Sequence, residues 1–123
     1  MQTKNRLIVS LLLLASFSVP MAAIAAEQGG LPRLLDLGAD KCIPCKKMAP
    51  ILEKLEKDYV GELEVQFIDV WKQPDAGNLY GVRLIPTQIF YGSDGKELFR
   101  HQGFYGRQEI LAKWQELGYE FGH

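Results

Sequence analysis

The chain has only two cysteines and two histidines among its 123 residues, and each shortage narrows the chemistry open to it. A zinc site wants four ligands, and beyond Cys42 and Cys45 only His101 and His123 remain, at no finger-like spacing. Haem attachment through Cys-x-x-Cys wants a histidine next, where Lys46 stands instead. An excess of charge of either sign is also lacking. The formal net charge is −1, with no basic cluster and no interleaving of basic and aromatic residues, so nucleic acid is set aside as a partner. Internal repeats and low-complexity segments are absent. The length accommodates one domain, and 47% apolar with 24% charged residues is an ordinary globular balance.

The one long apolar run lies at the start. Lys4 and Arg6 precede Leu7 to Val19, followed by Pro20 and the small-residue stretch Met21 to Ala26. This is the pattern of a secretory signal peptide over residues 1–26, with cleavage expected after Ala25 or Ala26. The run is shorter than a spanning helix normally needs, and no cysteine follows it at once to carry a lipid. Removing it takes away Lys4 and Arg6 and leaves a domain over 27–123 with a net charge near −3. The expected address is outside the cytosol, periplasmic in a bacterial host, where a disulfide can persist.

Against that background the stretch Lys41-Cys42-Ile43-Pro44-Cys45-Lys46 stands out. Residues three apart share a helix face, which brings two sulfurs within reach of a disulfide. Cys42 falls in the first turn, where unpaired N–H groups and the helix dipole favour a thiolate, and Lys41, Lys46 and Lys47 add positive charge. Pro44 suits a first turn because its missing N–H costs nothing there. A purely structural staple closing so short a loop constrains the unfolded chain little. Two thiolates can also hold copper(I), which keeps a copper-handling protein open as an alternative, alongside a non-catalytic binding module.

Around the cysteines, Arg33 to Leu37 reads as a buried strand interrupted by Asp36, and Gly38-Ala39-Asp40 as a turn with Asp40 a candidate helix cap. Met48, Ile51, Leu52, Leu55 and Tyr59 recur at helical spacing, predicting a helix from about Cys42 to Tyr59 with Pro50 inside it. Leu63 to Val70 reads as a strand, Pro74 to Tyr80 as a short helix, and Thr87–Tyr91 with Lys96–His101 as a hairpin across Ser93-Asp94-Gly95. Ile110, Leu111, Trp114 and Leu117 mark a closing helix, with Trp114 expected in the core and His101 at a solvated strand end. The order β-α-β-α-β-β-α predicts an α/β fold, a minimal four-stranded mixed sheet with helices on both faces. Right-handed crossovers would make its first two connections parallel.

From about Leu34 to Leu117 the chain resembles the thioredoxin family. The features that carry the resemblance are Leu35-Asp36-Leu37 six residues before the first cysteine, Cys42-Ile43-Pro44-Cys45-Lys46, Pro50, the run Tyr80 to Thr87, and Gly103. The resemblance implies a thioredoxin-like fold and a redox-active Cys42–Cys45 disulfide. It gives Cys42 the attacking role, Cys45 the resolving role and Asp36 the proton exchange. Pro86 is implied to be cis, with Ile85 pairing to an incoming chain and Ile43, Pro44, Gly103 and Phe104 completing the docking rim. Departures accompany it: Lys41 replaces a tryptophan, Gly38 an aromatic and Val65 a lysine that often neighbours the buried aspartate, and the usual extra strand and helix before the central strand are missing.

Together these readings lead to an exported, monomeric thiol-disulfide oxidoreductase acting on protein thiols and disulfides, with no external cofactor and no metal. A redox partner protein is implied, a membrane thiol carrier in a bacterial host. Ile43-Pro44 leaves the direction of electron flow open, while Asp36 and Ile85-Pro86 lean towards the reducing end.

Overall fold

Leu34, Leu35 and Leu37 are consecutive apolar positions on both sides of a pleat, and such a run is stable only where both faces of a strand are covered. The computed structural model describes residues 29–122 and shows how this is met. The expected signal peptide, its cleavage point and His123 lie outside the described residues. β1 (Arg33–Gly38) is an inner strand of a four-stranded sheet ordered β2-β1-β3-β4, with β2 at Glu64–Asp69, β3 at Thr87–Tyr91 and β4 at Glu97–Gln102. Leu34 faces one core with Met48, Leu52, Leu55, Phe90, Ile110 and Trp114. Leu35 and Leu37 face the other, with Ile89 and the half-buried Val70, Tyr80 and Val82.

Helix α1 (Ile43–Asp58) connects β1 to β2 and buries Met48, Leu52 and Leu55 of the expected stripe together with Cys45, while Ile51 is half-buried and Tyr59 is buried just past the helix end. The closing helix α3 (Arg107–Glu116) buries Ile110 and Trp114 on the same face of the sheet. Trp114 is fully buried, with Phe90 at 4.8 Å between ring centroids. Tyr119 and Phe121, beyond α3, fold back onto Trp114 at 5.4 Å and 5.8 Å.

The expectation of two parallel connections is corrected at the second. β1 and β2 are parallel, whereas β3 lies antiparallel to β1, with Thr87 opposite Leu37 and Tyr91 opposite Arg33. The physical reason is that the connection is taken up by local turns around a short helix, α2 (Pro74–Leu79): the Gln73 N–H bonds back to the Asp69 carbonyl and the Val82 N–H to the Gly77 carbonyl. Six helical residues advance the chain by about 9 Å, short of the roughly 20 Å needed to run back along a six-residue strand. The chain therefore stays at the end of the sheet where β2 finished, and β3 starts there. This places Pro86 at the carboxyl end of β1, from which the cysteine loop also springs.

Candidate active site

The loop from β1 into α1 is set by one carboxylate. Asp69, at the end of β2, accepts the Trp71 and Lys72 N–H groups on Oδ1 at 2.9 and 3.1 Å, and the Asp40 N–H on Oδ2 at 3.1 Å. Burial pushes this carboxyl up, but the Asp40, Lys72 and Trp71 N–H groups and the nearby Lys72 charge together hold it below its ordinary range. Asp40 itself does not cap α1. Its carboxylate pairs with the Lys72 ammonium, and Cys42 occupies the N-cap position with extended backbone and no side-chain capping bond. The reason is Pro44: it settles into the first turn, so the helix begins at Ile43 and the residue before it is the cysteine.

Cys42 and Cys45 form a disulfide with their Cα atoms 5.1 Å apart. The two sulfurs differ in exposure. Cys42 is half-buried, beside the exposed Ile43 and Pro44, whereas Cys45 is only 4% exposed. Cys45 is covered by Gly38: a Cβ at that position would lie 3.2 Å from the Cys45 sulfur and 3.1 Å from the Phe67 ring, so the bare backbone lets the first turn of α1 settle on β1. Between α1 and β2 a cavity of about 290 Å³ reaches Cys45, with Ala39, Leu52, Val65 and Phe67 in its wall.

Asp36 lies two residues before Gly38 on the same face of β1, so its backbone is one pleat repeat, roughly 7 Å along the strand, from the residue that Cys45 packs against. It is fully buried. Desolvation pushes its carboxyl up to about 6, against the pull of a hydrogen bond that Gln88 donates from Nε2 to Oδ1 at 2.8 Å. Asp36 Oδ2 has no hydrogen-bond partner among the described residues. Val65, at the position where the family resemblance implies a lysine, carries no charge and pairs in register with Leu34.

Across the gap, the Ile85–Pro86 peptide is cis, and Pro86 is buried while Ile85 is half-buried. Gly103 closes β4 with φ +96° and donates its N–H to the Pro86 carbonyl at 2.7 Å, which brings these two sequence-selected residues together. Phe104 beside them is 48% exposed, and Ile43 is 70% exposed. His101 is not simply a solvated strand end. Its ring stacks on Tyr105 at 4.0 Å, and its Nε2 lies 3.2 Å from the Phe104 carbonyl, because the turn after Gly103 folds back over β4.

Comparison with known proteins decides the family: the family model described as thioredoxin matches residues 22–116. The chain belongs to the thioredoxin family. It is 37% identical over 84 residues to a Staphylococcus aureus thioredoxin, covering 66% of this chain and 80% of that one. To thioredoxin C-2 of Corynebacterium nephridii it is 33% identical over 81 residues, covering 66% and 74%. A Borreliella burgdorferi thioredoxin is 38% identical over 69 residues, covering 56% of this chain and 59% of its own length. Among solved structures, chloroplastic thioredoxin z superposes with a TM-score of 0.65 at 27% identity, over 72% of this chain and 79% of that one. Membership of the thioredoxin family and the Cys42–Cys45 disulfide make the protein a protein-disulfide oxidoreductase, acting through a dithiol.

Two parts of this thioredoxin site were not selected from the sequence, Gln88 and Asp69. Gln88 carries a readable signal, a lone amide in Thr87-Gln88-Ile89-Phe90-Tyr91, a run otherwise fit for a strand buried on both faces. Asp69 carries one too, as an aspartate at a strand end followed by the N–H groups of a turn.

Proposed function

We propose that this protein acts outside the cytosol as a reductant of protein disulfides. The observation that carries the reading is the asymmetry of the site: a sulfur within reach of solvent at the helix start, a buried partner behind it, and a buried carboxyl of raised pKa beneath. The Cys42 thiolate attacks one sulfur of a substrate disulfide, forming a mixed disulfide and releasing the other substrate sulfur as a thiolate that takes a proton from water. Cys45 then loses its proton to the Asp36 carboxylate and attacks the Cys42 sulfur. The second substrate sulfur departs, and the electron pair of the Cys42–Cys45 dithiol has passed to the substrate. A carboxyl that titrates near 6 is mostly ionised at neutral pH, yet basic enough to hold the proton in passing.

Substrate backbone pairs with Ile85 beside Pro86, and Ile43, Pro44, Gly103 and Phe104 form the surrounding rim. The exposure of Ile43 and Phe104 and the open backbone at Gly103 support this assignment. No cofactor enters, since the dithiol itself carries the electrons. Measuring the reduction potential of Cys42/Cys45 tests the direction: a value near −270 mV, about that of thioredoxin, is expected, and one near −120 mV would make the protein an oxidant.

The basic, apolar and small-residue succession of residues 1–26 supports export as a domain beginning at residue 27. A monomer re-reduced outside the cytosol needs its electrons delivered across the membrane, which assigns a membrane thiol carrier as its donor. Alkylation of growing cells before fractionation tests both parts. The expected product is periplasmic, shortened by the first 25 or 26 residues, with both thiols labelled. A full-length cytosolic product, or a disulfide that stays oxidised, contradicts the proposal.

A further inference from the structure

We infer that Gln88 is a positioning residue for the resolving half of the reaction: its amide ties down Oδ1 of Asp36 and leaves Oδ2 as the oxygen that receives the Cys45 proton. The inference rests on the role proposed above for Asp36. Its own support is geometric. The antiparallel register of β1 and β3 sets Gln88 directly opposite Asp36, and both side chains are fully buried. The Nε2 donor meets Oδ1 at 2.8 Å, while Asp36 Oδ2 and Gln88 Oε1 are both without partners among the described residues. A buried amide with an unpaired carbonyl is costly, where leucine or methionine would fill the same strand position at no such cost. Among the described residues the Gln88 side chain makes no other hydrogen bond, so holding Asp36 is the one thing its amide does.

The surroundings leave that task to Gln88. β2 sets Phe67 opposite Asp36 on the other side, without charge. α1 brings Cys45 to this face and keeps Lys46 and Lys47 exposed, and α3 contributes Ile110 to the same core. β4 places His101 opposite Gln88, one strand further from Asp36. The carboxyl therefore answers to burial first and to the Gln88 bond second, and to no neighbouring charge. An amide donor favours the carboxylate without fixing it as an ammonium would, which keeps the group able to take up a proton and release it.

The test uses reaction of the reduced protein with 5,5′-dithiobis(2-nitrobenzoate), followed by stopped flow across pH 5–9. The first release of thionitrobenzoate reports attack by Cys42, and the second reports resolution by Cys45. Gln88→Met keeps the shape and removes the donor, with Gln88→Leu as a second variant should the first fail to fold. Losing a hydrogen bond to a charged group raises the acid limb of the second phase by about one to two pH units, slowing it roughly 5- to 50-fold at pH 6 and leaving the first phase in place. Asp36→Asn is expected to remove that limb altogether. Should Asp36→Asn remove it while Gln88→Met and wild type superimpose, the inference about Gln88 falls and the role of Asp36 stands. Should Asp36→Asn leave the limb intact, the role of Asp36 falls and takes the inference with it. Equal slowing of both phases at every pH would reduce Gln88 to a packing residue and overturn the inference.

Discussion

Cys42→Ser is expected to bring insulin reduction down to the rate of the bare reductant, while Cys45→Ser retains the first attack and stalls after it. The two cysteines share a helix face but not an environment, and the difference assigns the order of events. Only Cys42 is open enough for a folded substrate to approach, and a hydroxyl in its place at neutral pH offers no thiolate equivalent. Cys45, at 4% exposure, cannot meet a protein disulfide in the folded state, but needs only to reach across 5.1 Å of Cα separation to the sulfur of Cys42. Cys45→Ser should therefore accumulate a substrate covalently joined through Cys42, seen as a gel shift that a reductant reverses. Insulin reduction by Cys42→Ser at the wild-type rate would remove the catalytic role altogether, and a Cys45→Ser protein that never forms the adduct would reverse the assignment of the two sulfurs.

Much of this site was readable from residue order because each part obeys a local rule. The Leu34–Leu37 run, the spacing of Met48, Leu52 and Leu55, and the placing of Pro44 in a first turn are decisions a short segment makes by itself. What escaped depends on which strand lies beside which. The partner of Asp36 is Gln88, 52 residues away, and the pairing exists only because β3 runs antiparallel to β1. A parallel β3, as the crossover rule suggested, would have put different side chains beside Asp36. The shortness of α2 was the available clue, since six helical residues span only about 9 Å and the helix itself does not carry the chain back to the start of the sheet.

The same holds for the loop before Cys42. Asp40 has the right chemistry for a cap, but Asp69 and Lys72 claim its backbone and side chain, and that competition arises from β2 pairing with β1. Tyr119 and Phe121 were likewise unreadable as packing residues because one apolar-polar-apolar alternation, Tyr119-Glu120-Phe121, is too short to mark a strand. They pack on Trp114 because Gly118, at φ +92°, turns the chain back over α3.

Asp36→Asn is expected to stabilise the oxidised protein at neutral pH while impairing its turnover. The sign follows from the direction of the shift. In the unfolded chain this carboxyl ionises near 3.8, and in the folded protein burial pushes it to about 6. Below the lower value both states are protonated and nothing is lost. Between the two the folded state holds a proton that the unfolded state has released, so stability falls as pH rises, and above about 6 the whole loss is present. A shift of this size corresponds to about 3 kcal/mol, or on the order of 10–20 °C in Tm for a domain of this length. Asparagine carries no such slope and leaves the buried position neutral. Denaturation of both proteins at steps from pH 4 to 8 should give curves that converge at the acid end and separate by up to that amount at pH 7, less whatever the altered bond to Gln88 costs. Parallel curves would mean the carboxyl is not desolvated in solution. The gain in stability and the expected loss of activity share one origin: a carboxylate held without water is unfavourable for the fold, and that same lack of water raises its affinity for a proton, as the role proposed for Asp36 requires.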